Sequence, residues 1–168
     1  MEQVTNQVLN LDDIEPGFEY ADCTLEISNQ RIQISDAIIT HCKFKQRDFN
    51  DSDWNDVQFK NCDFLNATFV QSYLSNCVFT SCQLMGSDFS RETRIKKCEF
   101  KQSNLRYANF SETQLEDVKF QDSDLPESSF QAVKVKKGLT FDGCDLSQAD
   151  FLDTKLNGVD LSNANFDS

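Results

Sequence analysis

Cys62-Asp63-Phe64-Leu65-Asn66-Ala67-Thr68-Phe69-Val70-Gln71-Ser72-Tyr73-Leu74-Ser75-Asn76-Cys77-Val78-Phe79 places a large apolar side chain at every fifth position: Phe64, Phe69, Leu74 and Phe79. The same spacing runs back through Phe59, Trp54, Phe49, Phe44 and Ile39, and forward through Leu84 and Phe89. One extra residue then shifts the frame. It resumes at Ile95, Phe100, Leu105, Phe110, Leu115, Phe120, Leu125, Phe130 and Val135. A second single-residue shift leads to Phe141, Leu146, Phe151, Leu156, Leu161 and Phe166. Of the 15 Phe residues, Phe18 alone lies outside these centres, so the period is a property of the chain.

Two residues before each centre stands a second, mostly small residue, as in Cys62, Ala67, Ser72, Cys77, Ala108, Thr113, Ala149 and Ala164. The residue between the two is usually polar, which is strand alternation with two side chains facing inward. Five is odd, so a straight strand would send successive centres to opposite faces. The chain must therefore bend after each centre. An α-helix fails too, because five residues rotate by about 500° and scatter the centres around the axis. Cys42, Cys62 and Cys82 recur at twenty residues with Ser52 and Ser72 midway, so four sides close one coil. The expected fold is all-β, a quadrilateral β-helix of about six to seven coils. One inner face is expected to stack Phe49, Phe69, Phe89, Phe110, Phe130 and Phe151, and the opposite face Phe59, Phe79, Phe100, Phe120 and Phe141. Residues 37–168 form this β-helix. Residues 1–36 are expected to be an N-terminal cap and an irregular first coil, with Leu9, Leu11, Ile14, Phe18 and Tyr20 covering the open end.

Charge is unevenly placed along the 168 residues, whose formal net charge is −12. Residues 1–30 and 141–168 are acidic, whereas 31–140 hold equal numbers of acids and bases. Direct binding of nucleic acid is disfavoured, since phosphate contacts need clustered Lys or Arg. No apolar run reaches the roughly 18 residues of a membrane span. The start, Met1-Glu2-Gln3-Val4-Thr5, lacks a secretory pattern, so a cytoplasmic protein with no membrane partner is expected.

Tandem units such as Cys144-Asp145-Leu146, Ala149-Asp150-Phe151 and Ala164-Asn165-Phe166 resemble the pentapeptide-repeat family over residues 37–166. The resemblance implies a right-handed quadrilateral β-helix. The Phe-rich centres, Gly86-Ser87-Asp88-Phe89 and the stretch Lys136-Lys137-Gly138-Leu139-Thr140-Phe141 look most like the Qnr-type topoisomerase-protecting proteins of Gram-positive bacteria. That closer similarity implies a non-enzymatic DNA mimic that binds a type II topoisomerase, DNA gyrase or topoisomerase IV, and guards it against quinolones. It also implies a homodimer through a C-terminal helix, a helix this sequence does not contain, and Gram-negative members carry long loops that are absent here. The last coil is expected to be adhesive, paired with another copy, or continued beyond Ser168.

Catalytic and metal chemistry find no pattern. The seven cysteines all lie two residues before an apolar centre, without CxxC spacing or a nearby His, and are read as small core residues. His41, the one histidine, falls at a corner. No catalytic residue, metal site or cofactor is assigned. The acids Asp142, Asp145, Asp150, Asp153 and Asp160 are the candidate partner-binding surface, and Asp150→Ala is expected to leave stability within about 0.5 kcal/mol. Bases gather at both frame shifts, at Arg91, Arg94, Lys96 and Lys97 and at Lys134, Lys136 and Lys137; they read as a solvated face or as a patch for an acidic partner. The alternative function is a general protein-interaction scaffold.

Overall fold

Strand pairing in the computed structural model, which describes residues 1–167, is parallel throughout and joins coil to coil. Ile39 lies in register with Phe59, Phe59 with Phe79, Phe79 with Phe100, Phe100 with Phe120, and Phe120 with Phe141. These partners are four repeats apart, so the cross-section has four walls. Phe44, Phe64, Leu84, Leu105, Leu125 and Leu146 centre the first wall, and Phe49, Phe69, Phe89, Phe110, Phe130 and Phe151 the second. Trp54, Leu74, Ile95, Leu115 and Val135 centre the third, and the Phe59 column the fourth.

The two phenylalanine columns run as expected. On the second wall Phe69, Phe89 and Phe110 stack at 4.8 and 5.1 Å with planes within 3°. On the fourth, Phe79, Phe100 and Phe120 stack at 4.9 Å. Across the axis the columns meet edge to face, as at Phe110–Phe120 (5.4 Å, 86°) and Phe130–Phe141 (5.3 Å, 90°). Both are favoured geometries of aromatic quadrupoles. Ten of the eleven are buried, and Phe151, near the C-terminal end, is half-buried.

Most bends are made by one residue in the left-handed region. The corners of a single coil are Asp51, Asp56, Asn61 and Asn66, with φ of 56°, 55°, 52° and 55°. Asn and Asp tolerate this conformation better than most side chains, which is why they punctuate the repeat. The conformation also turns the corner N–H along the rod axis. Asp51 N–H donates to Val70 O at 2.8 Å, Asn61 N–H to Thr80 O at 3.0 Å and Asn66 N–H to Met85 O at 2.9 Å. At Gly86, stacked on Asn66 with φ +68°, a Cβ would stand 2.2 Å from the Asn66 Oδ1. Glycine lets the two corners stack without displacing the Asn66 side chain.

Small inward residues close the remaining space and carry the second set of inter-coil bonds. Thr93 Oγ1 donates to Phe69 O and Thr113 Oγ1 to Phe89 O, both at 2.7 Å, while Cys62 Sγ donates to Ile39 O at 3.3 Å. The two frame shifts are absorbed differently. At the first, Arg91 and Glu92 are consecutive left-handed residues (φ 52° and 68°) that widen one corner. At the second, Leu115 pairs with Val135 but Glu116 with Lys137, so Lys136 is a β-bulge within the third wall.

Residues 1–36 depart from the expected cap. Glu2–Thr5 pairs with Phe18–Ala21, which pairs with Gln33–Thr40, and Val8–Asn10 pairs with Thr24–Glu26, which pairs with Lys43–Phe44. The segment is strand-built and continues the column, so that Val4, Tyr20 and Ile39 extend the fourth wall upward and the rod reaches about eight turns instead of six to seven. Phe18 is inward-facing, in register with Ala37. Its period is hidden because Val4 and Tyr20 are separated by fewer residues than a full coil, the short 3-10 turn Leu11–Asp13 replacing regular repeats. Irregularity does persist at residues 27–31, where Asp12 accepts from Asn29 N–H.

Phe110→Ala removes a ring that contacts Phe89, Phe100, Phe120 and Phe130. The loss should be about 3–5 kcal/mol, read as a lower urea midpoint with an unchanged slope.

Candidate interaction surface

Every inward position is filled by side chains, so chemistry is confined to the outward ones. These are the residue before each centre and the two after it. The residue before the centre has a structural task of its own. Asp63 Oδ1 accepts from Leu65 N–H, Asp88 Oδ1 from Ser90 N–H, Asn109 Oδ1 from Ser111 N–H and Asp150 Oδ1 from Leu152 N–H, all at 2.8–2.9 Å. These are Asx turns, in which a short polar side chain holds the backbone two residues on. Much of the acid content is thus turn chemistry.

The five candidate acids do not share a wall. Asp145 belongs to the first wall, Asp150 to the second, Asp153 to the corner that follows it, and Asp142 and Asp160 to the fourth. Asp145 accepts from Ser147 N–H at 2.9 Å and Asp160 from Ser162 N–H at 2.9 Å. Asp150 also accepts from the Gln131 amide, which together with Leu152 N–H holds its carboxyl below the ordinary carboxylate range. Asp150→Ala therefore removes two hydrogen bonds, a larger change than its exposed position suggests. Asp142 and Asp160 line one shallow depression with Thr140, Ser162 and Asn163.

A tighter acidic edge lies where the fourth wall turns into the first. Asp122 N–H donates to Asp142 O, and Asp124 pairs with Asp145, so these four carboxylates occupy two adjacent levels of one corner. Asp122 and Asp124 were not singled out by sequence. Their signal is the near-coil spacing to Asp142 and Asp145, which is visible only once the slip at Lys136 is placed.

The thiols form columns. Cys23, Cys42, Cys62 and Cys82 follow one another at the inner corner before the first wall, and each donates to a carbonyl one coil earlier: Val4, Tyr20, Ile39 and Phe59. Ser103 and Ser123 continue the column, so Cys and Ser are interchangeable space-fillers there. All seven thiols are buried and free. Burial pushes Cys42 up to about 11 and Cys144 up to about 11, the latter aided by the Asp122 and Asp142 carboxylates. The Cys62 thiol is raised by its contact with Cys82 and then by burial. Among the described residues no group of three or more His, Cys, Asp or Glu is placed to hold a metal ion. His41 is an exposed corner residue with φ 50°.

A profile described as "Pentapeptide repeat region" matches residues 52–130, and one described as "Pentapeptide repeats (8 copies)" matches 137–168. The chain belongs to the pentapeptide-repeat family. No curated protein sequence is significantly similar. Among solved structures, a trypsin-treated form of QnrB1, a plasmid-mediated fluoroquinolone resistance protein, is 20% identical over 99% of this chain and 90% of its own, with a TM-score of 0.43. Full-length QnrB1 is 15% identical over 99% and 94%, with a TM-score of 0.31. HetL, a pentapeptide-repeat protein involved in heterocyst differentiation regulation from the cyanobacterium Nostoc, is 13% identical over 96% and 86%, with a TM-score of 0.23.

Two outcomes follow for this pentapeptide-repeat chain. Asp145→Ala should lower stability by about 0.5–1.5 kcal/mol in thermal or urea unfolding, while Asp145→Asn, which keeps the acceptor, should stay within about 0.5 kcal/mol. The raised thiols bind protons more tightly folded than unfolded. Their contribution is full below the unfolded thiol value of about 8.5 and is lost as pH rises toward about 11. Urea midpoints should therefore fall between these limits, and fall less in a Cys42→Ser/Cys144→Ser variant.

Proposed function

We propose that the protein is a non-enzymatic, DNA-mimicking partner of a type II topoisomerase, DNA gyrase or topoisomerase IV, that acts in the cytoplasm and protects the enzyme from quinolones. The observation that carries this reading is the acidic edge of a filled, rigid rod. Asp122, Asp124, Asp142 and Asp145 project at a repeat set by the backbone, as phosphates project from a duplex. A protein that binds DNA presents a basic channel, and a surface of regularly spaced carboxylates is complementary to it. Family membership and the Qnr-type resemblance of the Phe-rich centres support the choice of enzyme. Recognition by shape and charge needs no cofactor and no catalytic group.

A scaffold for some other protein is the second reading, favoured by the mixed charge of the N-terminal half of the third wall, where Arg31 pairs with Asp51 and Asp53.

The test is supercoiling by purified gyrase, with and without a quinolone, across a titration of the protein. Protection or competitive inhibition is expected. Asp122→Asn/Asp124→Asn/Asp142→Asn/Asp145→Asn, which keeps acceptors while removing four charges, should weaken the effect by about tenfold or more. An assay indifferent to the wild-type protein rejects the topoisomerase reading. An undiminished variant rejects this edge as the contact surface.

A further inference from the structure

Both frame shifts border the third wall, and both bring cations to it. Arg94, Lys96 and Lys97 project from one level, Lys134, Lys136 and Lys137 from the level two coils on, and Lys155 from the level below that. The level between supplies Glu116 and Asp117 as the wall's acids. Over the same half of the rod, each of the other three walls holds more acids than bases. A basic wall thus stands on a strongly acidic protein, separated by the fourth wall from the edge assigned above to the topoisomerase.

The wall is also shaped. Two shallow depressions meet along Tyr73, Arg94 and Gln114: one runs to Arg31 and Lys134 and is mixed in charge, with Asp51, Asp53, Glu92 and Glu112 in its lining, and the other continues over Ile95 to Lys96 and Lys136 with Glu116 as its one acid. The Arg94 guanidinium lies over the Tyr73 ring at 4.9 Å, which fixes its position without a carboxylate. The bulge at Lys136 sets Lys136 and Lys137 side by side and leaves both exposed. Among the described residues Lys137 reaches Asp117 at 3.6 Å, whereas Arg94, Lys96, Lys134 and Lys136 enter no ion pair.

We infer that the third wall is a docking groove for a short, extended, acidic segment of a partner protein. Charge complementarity selects the sign of the occupant. Extent selects its size. From Tyr73 to Lys136 the groove spans three coil spacings, about 14 Å, the reach of roughly four extended residues. The same limit disfavours a nucleic acid, whose charge continues past the groove onto acidic walls and ends. This surface is separate from the acidic edge, and it stands if the topoisomerase reading fails.

Fluorescence anisotropy tests it with two probes of equal length, a fluorescein-labelled deca-glutamate peptide and a labelled ten-nucleotide oligothymidylate, at low and physiological salt. The peptide should bind, more weakly as salt rises. Lys134→Glu/Lys136→Glu should reduce its affinity by about tenfold or more, and Lys43→Glu/Lys45→Glu on the first wall by less than about twofold. Arg94→Gln, which changes one surface charge, should reduce it by about threefold and guards against misfolding of the double variant. Failure of the peptide to bind, equal losses in the two double variants, or oligothymidylate binding as tightly as the peptide would each overturn the proposal.

Discussion

Ring stacking and strand pairing share one spacing in this molecule, and the rest of the structure depends on that agreement. Parallel coils sit about 4.8 Å apart when their backbones hydrogen-bond, and the Phe columns stack at 4.6 to 5.1 Å. Neither interaction has to yield to the other. A left-handed residue at a corner is unfavourable in isolation by about 1 kcal/mol or more, and the chain contains many of them. Most are held because the N–H points at a carbonyl in the neighbouring coil. No single coil could keep these conformations; stacking makes them collectively favourable, as in other solenoids.

This division of labour separates fold from function cleanly, though less cleanly than outward polarity implies. Inward positions take Phe, Leu and small residues, with Cys, Ser and Thr interchangeable because each can donate to the carbonyl one coil earlier. Outward positions are freer, but the Asp or Asn before a centre also closes its own turn. A carboxylate there contributes to field and to architecture at once. The residues after the centre are less constrained, and the basic groove draws Lys96, Lys97, Lys136 and Lys137 from those places.

The period of five, the four walls and both Phe columns were legible in the sequence because apolar size recurs at fixed intervals. The first coils were not. Val4, Leu9 and Leu25 are ordinary apolar residues, and the turn Leu11–Asp13 shortens the interval that would have revealed them. The acids are plain in the sequence as residues, but their grouping on the rod is not. Asp142, Asp145, Asp150, Asp153 and Asp160 are neighbours along the chain, whereas neighbours on the rod lie a coil apart, as Asp122 does from Asp142. The location of the extra residue mattered as well: a shift placed anywhere between Val135 and Phe141 explains the period, and the strand register alone assigns it to Lys136.

The two single-residue insertions carry a lesson about how such a rod can change. Beyond Glu92, Ile95 still faces Leu74, and beyond Lys136, Phe141 still faces Phe120. The interior phase is restored within half a coil. A gain of one codon therefore alters one exterior strip and leaves the packing above and below untouched, so length variation can remodel the surface here as freely as substitution does elsewhere. The bulged wall and the widened corner are natural graft points, where longer segments could be accepted without retuning the column that supports them.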